Sequence, residues 1–240
     1  YIREKWIKNI DVDLETVKIL LDNGLNKILY YNREKKNQLN LCSWGAEPLC
    51  NLKTLELLVD TCINNGIKFS TSTNATIVNE KIKEIFTKIF KNGLTETIQV
   101  SLDGPAEIQN LHRKTLSGKD TFDSVISFIE MLNDIQKELN INHRLFTICG
   151  TIELNEDTPE AFIKSAKWFS DKKSPVYSRI IPIRLENSIQ FNRKLSEIFV
   201  ETIRQFLKFA EEYYNTTGQA VIDYYTAKLF LNTDRINGCT

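Results

Sequence analysis

Four short stretches carry residues able to bind a charged or hydroxyl-bearing ligand, and each follows a run with β-strand character. The first is Trp44-Gly45-Ala46-Glu47-Pro48-Leu49. Gly45 and Ala46 let the backbone come close to a ligand, Pro48 holds that backbone still, and Glu47 adds a carboxylate. The second, Thr71-Ser72-Thr73-Asn74-Ala75, offers hydroxyls and an amide. The third is Ser101-Leu102-Asp103-Gly104-Pro105, followed by Glu107-Ile108 and His112-Arg113. Its guanidinium can grip a carboxylate through two parallel hydrogen bonds. The fourth carries Gly150 and Glu153, with Asn155 just beyond. Singly, each has an ordinary explanation. Glu47 before Pro48 suits a helix cap, Asp103-Gly104-Pro105 is a turn sequence, and Arg113 suits a surface ion pair. His112 and His143 fit loop positions as well as catalytic ones.

The elements that must position these residues alternate in type. Asp13 caps a helix expected to reach Asn23, with Leu14, Val17, Leu20 and Leu21 on one face and Gly24 as its stop. Strand character covers Leu39 to Trp44, Ile67 to Ser72, Thr97 to Leu102, Arg144 to Ile152 and Ser178 to Arg184. Helical spacing covers Leu52 to Asn65, Val78 to Lys91, Phe122 to Leu139, Thr158 to Ser170 and Leu195 to Tyr214. Such alternation implies parallel strands joined by right-handed crossovers, as an open sheet or a full or partial (β/α) barrel. In either, ligands meet the carboxyl ends of the strands. The four polar stretches all belong to that rim.

Composition narrows the classes further. Lys+Arg 31 against Asp+Glu 31 removes the electrostatic case for a nucleic-acid or membrane-surface binder. No run of about 18 apolar residues exists to span a bilayer. Five scattered cysteines do not form a secreted disulfide framework and point to a reducing cytoplasm. Cys42, Cys50, Cys62 and Cys149 read as small core residues. No CxxC, CxxxC or HxxxH spacing marks a metal site within the chain. A phosphate-binding or metal-dependent barrel of the aldolase kind would need a Gly-rich phosphate loop or an inward lysine at a strand end, and neither is present.

The motifs taken together resemble the radical SAM family. The likeness is to the branch with a SPASM-type C-terminal extension, which includes anaerobic sulfatase-maturating enzymes and ribosomal-peptide maturases. Gly45-Ala46-Glu47-Pro48 resembles its Gly-Gly-Glu-Pro motif, and Thr73-Asn74-Ala75 its Thr-Asn-Gly or Thr-Asn-Ala. Ser101-Leu102-Asp103-Gly104-Pro105 with Ile108-Gln109-Asn110 and Arg113 resembles Ser-Leu-Asp-Gly-Pro, Ile-His-Asp and an arginine. Gly118-Lys119-Asp120-Thr121-Phe122-Asp123 matches a helix start typical of the branch. Two departures stand out: Ala46 replaces a glycine and Gln109 the usual histidine. The Cys-x-x-x-Cys-x-x-Cys motif is absent. Tyr1 looks like the aromatic residue that trails it, and the resemblance therefore implies a first strand and its cysteines upstream.

The resemblance implies an α/β fold, a partial (β/α)6 barrel of the radical SAM type over 1–236, with its first strand missing. A SPASM-like extension begins at 237–240, with Cys239 as a possible auxiliary-cluster ligand. It implies S-adenosylmethionine and a [4Fe–4S] cluster, whose joint chemistry yields a 5′-deoxyadenosyl radical. Further auxiliary [4Fe–4S] clusters would, by the same resemblance, belong to a C-terminal region beyond this sequence. Gly45, Ala46, Glu47 and Pro48 would face the cofactor's ammonium, and Ser101 and Arg113 its carboxylate. Asn74, beside Thr73, and Asp103 would meet the ribose, and the strand ending at Ile152 the adenine. Glu47, Asn74, Ser101 and Arg113 would then line one pocket. The implied function is modification of a peptide or protein by thioether formation, oxidation or epimerisation, with a flavodoxin or ferredoxin as electron donor. A relative without its cluster, kept as a binding scaffold, is the alternative.

Overall fold

The computed structural model describes residues 13–31, 39–44, 47–171, 183–184, 192–218 and 221. Gly45, Ala46 and Cys239, and with them the expected extension at 237–240, lie outside the described residues. The chain divides into two compact units, Tyr1–Val100 with Ser127–Thr147, and Ser101–Ile126 with Ile148–Thr240.

In the first unit the Asp13 carboxylate accepts the Glu15 amide at 2.8 Å and the Thr16 hydroxyl at 2.6 Å, opening α1 (Leu14–Tyr31). The expected stop at Gly24 fails, because α1 runs through it. A mid-helix glycine costs only about 1 kcal/mol, and Leu25 and Leu29 continue the half-buried face of Leu14, Val17 and Leu21. Leu20 is off that face, 64% exposed. Strand β1 (Asn40–Ser43) leads through a short 3-10 turn at Pro48–Cys50 into α2 (Leu52–Asn65), capped by the Asn51 side chain. Gly66, at φ 62°, ends α2 in the left-handed conformation that glycine adopts without steric cost. Strand β2 (Lys68–Thr73), α3 (Glu80–Lys91) and β3 (Thr95–Ser101) follow.

Strands β1 and β2 pair in parallel from Asn40↔Lys68 to Ser43↔Thr71, and β2 and β3 from Phe69↔Thr95 to Thr73↔Val100. Val59, Phe69, Ile85, Phe86, Ile98 and Val100 are buried, the apolar stripes of helices laid on a parallel sheet. Phe86 meets Phe128 edge to face at 5.4 Å. Phe128 belongs to α5 (Phe122–Glu138), with Val125, Ile129 and Leu132 also buried as the spacing requires. Cys62 is buried, and burial pushes its thiol up to about 12. Cys42 and Cys50 are exposed, against expectation: β1 alternates and Cys42 falls on its open side, while Cys50 closes the 3-10 turn.

The second unit contains a helix the sequence reading did not separate, α4 (Ala106–His112). Its few apolar residues, Ile108 and Leu111, are too sparse to show a period. The fourth expected strand is two, β4 (Thr147–Cys149) and β5 (Ile152–Glu153). β4 is the fourth in the order β1-β2-β3-β4, and the Leu102 amide donates to the Cys149 carbonyl at 3.0 Å. β5 pairs in parallel with β6 (Ile183–Arg184), the described part of the fifth expected strand. Helices α6 (Thr158–Ser170) and α7 (Arg193–Thr217) pack through Phe162 and Phe206, rings 5.6 Å apart. No helix among the described residues is long and apolar enough to cross a membrane.

Candidate functional site

Two clusters occupy the expected strand ends, one in each unit. In the first, Glu47 carries both faces of the sequence reading. It caps the 3-10 turn that Pro48 opens, its Oε1 accepting the Leu49 amide at 3.1 Å. The same Oε1 accepts the Thr73 hydroxyl at 2.6 Å, and Oε2 accepts the Asn74 amide at 2.7 Å. One carboxylate thus ties the loop after β1 to the end of β2. Among the described residues it meets neutral donors alone, so these interactions are hydrogen bonds to a carboxylate rather than an ion pair. Thr73 accepts in turn from the Ala75 amide at 2.9 Å, and Asn74 Oδ1 from the Thr76 amide at 3.1 Å and hydroxyl at 2.8 Å. Ala75 is fully buried at φ 56°, a conformation that strains a residue with a Cβ. Partial desolvation, and then the charge of Glu47, raises the nearby Cys50 thiol, exposed though the residue is.

The second cluster is built around Asp103, only 1% exposed. Its Oδ2 accepts from Arg113 Nε at 2.7 Å, and its Oδ1 accepts the Thr151 amide at 2.7 Å. This second bond explains why the fourth expected strand is broken. The amide between Gly150 and β5 is turned to a side-chain carboxylate instead of a neighbouring strand. Gly150 permits the approach, since a Cβ there would stand 2.7 Å from the Leu102 carbonyl oxygen and 3.1 Å from Asp103 Cα. Gly104, at φ 157°, leaves room for Ser165, whose hydroxyl would lie 2.2 Å from an added Cβ.

Arg113 leaves α4 and enters a small hairpin closed at Gly118 (φ 80°), with Lys114 bridged to Asp120. The hairpin returns the chain to Thr121, whose hydroxyl donates to the Arg113 carbonyl at 2.5 Å. Thr121 stands where a cap for α5 belongs, yet Asn110 does the capping, its Oδ1 accepting the Thr121 and Phe122 amides at 3.0 Å each. Gln109, fully buried, accepts the Asp103 amide at 2.9 Å and donates to the Thr121 hydroxyl at 3.1 Å. Sequence reading left Gln109 without a role and passed over Asn110 and Thr121. The available signal was the α5 start itself, where the cap position and two upstream amides are all hydrogen-bonding side chains.

The structure brings Glu47, Thr73 and Asn74 together in one unit, and Asp103, Arg113 and Thr151 in the other. Ser101 is half-buried at the end of β3, and Ile152 is buried in β5. Asp103, expected as a ribose partner, has both oxygens occupied by protein donors. The Arg113 guanidinium is held at Nε, and no described residue bonds its two terminal nitrogens. A fork held at one edge and open at the other suits a carboxylate. Among the described residues no group of His, Cys, Asp and Glu could hold a metal ion, so none of them fits as a set of cluster ligands.

Residues 14–166 match the family model for the radical SAM superfamily. An uncharacterised protein of Methanocaldococcus jannaschii is 30% identical over 203 residues, covering 79% of this chain and 63% of its own length. The radical SAM cyclopropyl synthase TigE of Paramaledivibacter caminithermalis is 26% identical over 144 residues, covering 59% of this chain and 28% of its own length. Among solved structures, anSMEcpe with bound AdoMet aligns at a TM-score of 0.61 and 22% identity, over 81% of this chain and 53% of its own. The chain thus spans less than two thirds of the length of each of these relatives. The structural likeness bears out the expected α/β fold of the radical SAM type.

Proposed function

The chain belongs to the radical SAM superfamily, and from that premise we propose that it binds S-adenosylmethionine and serves the modification of a peptide or protein. S-adenosylmethionine with a [4Fe–4S] cluster supplies a 5′-deoxyadenosyl radical able to take a hydrogen atom from a substrate. What the described residues contribute is binding and orientation. Arg113 receives the methionine carboxylate on its unclaimed edge, with the Ser101 hydroxyl as a second donor. Asp103 holds the guanidinium in place by ion pairing at Nε, at 2.7 Å. Through Thr151 the same carboxylate sets the start of β5, and β5, including Ile152, is offered to the adenine. Glu47 fixes the Thr73-Asn74 turn, and the Asn74 side-chain NH2 is left for a ribose hydroxyl.

The observation that carries this reading is the half-used guanidinium of Arg113, held at Nε by the buried Asp103 and, among the described residues, unclaimed at its terminal nitrogens. The peptide or protein substrate is supported by the SPASM-branch motif set, and an electron donor of the flavodoxin or ferredoxin kind by the need for one electron per cleavage. The test is anaerobic reconstitution of the full-length protein with iron and sulfide, a reductant and S-adenosylmethionine. Release of 5′-deoxyadenosine is expected. Binding of S-adenosylmethionine without any such release would reject catalysis and leave a binding scaffold.

A further inference from the structure

We propose that Gln109 is a positioning residue that aims Arg113, a role that rests on the reading of Arg113 as the carboxylate receptor. Its amide touches both supports of the arginine and never the guanidinium itself. Oε1 accepts the amide of Asp103, the residue whose carboxylate grips Arg113 Nε, at 2.9 Å. Nε2 donates at 3.1 Å to the Thr121 hydroxyl, which itself donates to the Arg113 carbonyl at 2.5 Å. The ring closes through the Arg113 amide, which donates to the Gln109 carbonyl at 2.8 Å.

The chemistry of the position is specific. Thr121 spends its proton on Arg113, so the neighbouring group must donate to the Thr121 oxygen. The Asp103 amide needs an acceptor at the other end of the same side chain. A primary amide supplies one of each and does not titrate. With the residue fully buried, a group lacking either function leaves an unsatisfied partner in the interior. Glutamate at neutral pH lacks the donor and leucine lacks both. Neutral histidine has both. Gln109 therefore holds the side chain and the backbone of Arg113 in one fixed relation, and the guanidinium reaches its ligand already oriented.

The test compares two ligands on the full-length, anaerobically reconstituted protein: S-adenosylmethionine, and 5′-methylthioadenosine, which keeps the nucleoside and lacks the carboxylate. Gln109→Leu should weaken the first about tenfold or more, the scale of a misplaced charge-assisted hydrogen bond, and leave the second within about twofold. Thr121→Val, which removes the other partner of the amide, should give the same split. Gln109→His should recover most of the loss at about pH 8, where the imidazole is neutral. In an Arg113→Ala background, Gln109→Leu should cost nothing more. Equal weakening of both ligands, or additive losses with Arg113→Ala, would overturn the proposal and reduce Gln109 to a fold residue. Wild-type protein that fails to bind S-adenosylmethionine, or Arg113→Ala that binds it normally, would instead reject the parent reading and this one with it.

Discussion

Glu47 and Asp103 are carboxylates that follow β1 and β3, yet the structure uses them differently. Glu47 is half-buried and accepts from two amides and a hydroxyl, all neutral. Asp103 is 1% exposed and ion-paired, with Arg113 on one oxygen and a backbone amide on the other. The first shapes a loop and brings no opposite charge. The second is a buried charge that needs its cation, and in holding it presents the cation's other edge. Removing the first should loosen structure, and removing the second should leave an arginine without its partner.

The largest effect should come from Asp103→Ala, which strands both Arg113 and the Thr151 amide. We expect a stability loss on the order of 3 kcal/mol, the low end for breaking a buried pair because Arg113 retains some access to water. Equilibrium unfolding in urea measures it. Next is Gly150→Ala. Its Cβ would meet backbone at 2.7 Å, which cannot rotate away, so a loss of about 2 kcal/mol is expected, with the Thr151 contact to Asp103 opened. Glu47→Ala should cost about 2 kcal/mol at most, since part-exposed partners regain water. If Glu47→Ala proved costlier than Asp103→Ala, the contrast between the two carboxylates would be broken.

Smaller effects sharpen the picture around Glu47. The Cys50 thiol is raised above the ordinary value by partial desolvation and then by the Glu47 charge. Glu47→Gln removes that charge and should speed Cys50 alkylation at about pH 8, where the thiolate is the reacting form. Cys62 should stay unmodified in the folded protein, its thiol protonated up to about 12. The unfolded chain ionises first, near the ordinary 9.0, so raising the pH through that window should favour unfolding. The smallest change is expected of Ala75→Gly, which relieves the strain at φ 56° and loosens the unfolded chain, for a net of well under about 1 kcal/mol.

The sequence made the frame legible because long, strongly periodic helices leave little choice. Leu52–Asn65 and Thr158–Ser170 carry the boundaries the spacing required. The polar stretches at residues 47–49, 73–75 and 102–105 do lie at or just after the strands that the pattern required. Three things escaped it. Gly24 suggested a stop, but a single glycine is too weak a breaker to outweigh the apolar register beyond it. The break between β4 and β5 depends on a carboxylate 48 residues earlier in the chain, and no local pattern carries that information. The role proposed for Gln109 depends on which groups surround it, and a lone amide within a motif does not show them.

The central proposal is that Arg113, held by Asp103, receives the carboxylate of S-adenosylmethionine, and hydrogen–deuterium exchange tests it most directly. Full-length protein, reconstituted without oxygen, would be followed with and without S-adenosylmethionine. Peptides holding residues 101–104 and 151–153 should slow together, with one half-saturation, while those of α7 stay unchanged. Protection absent from both segments while the ligand is bound would contradict the account.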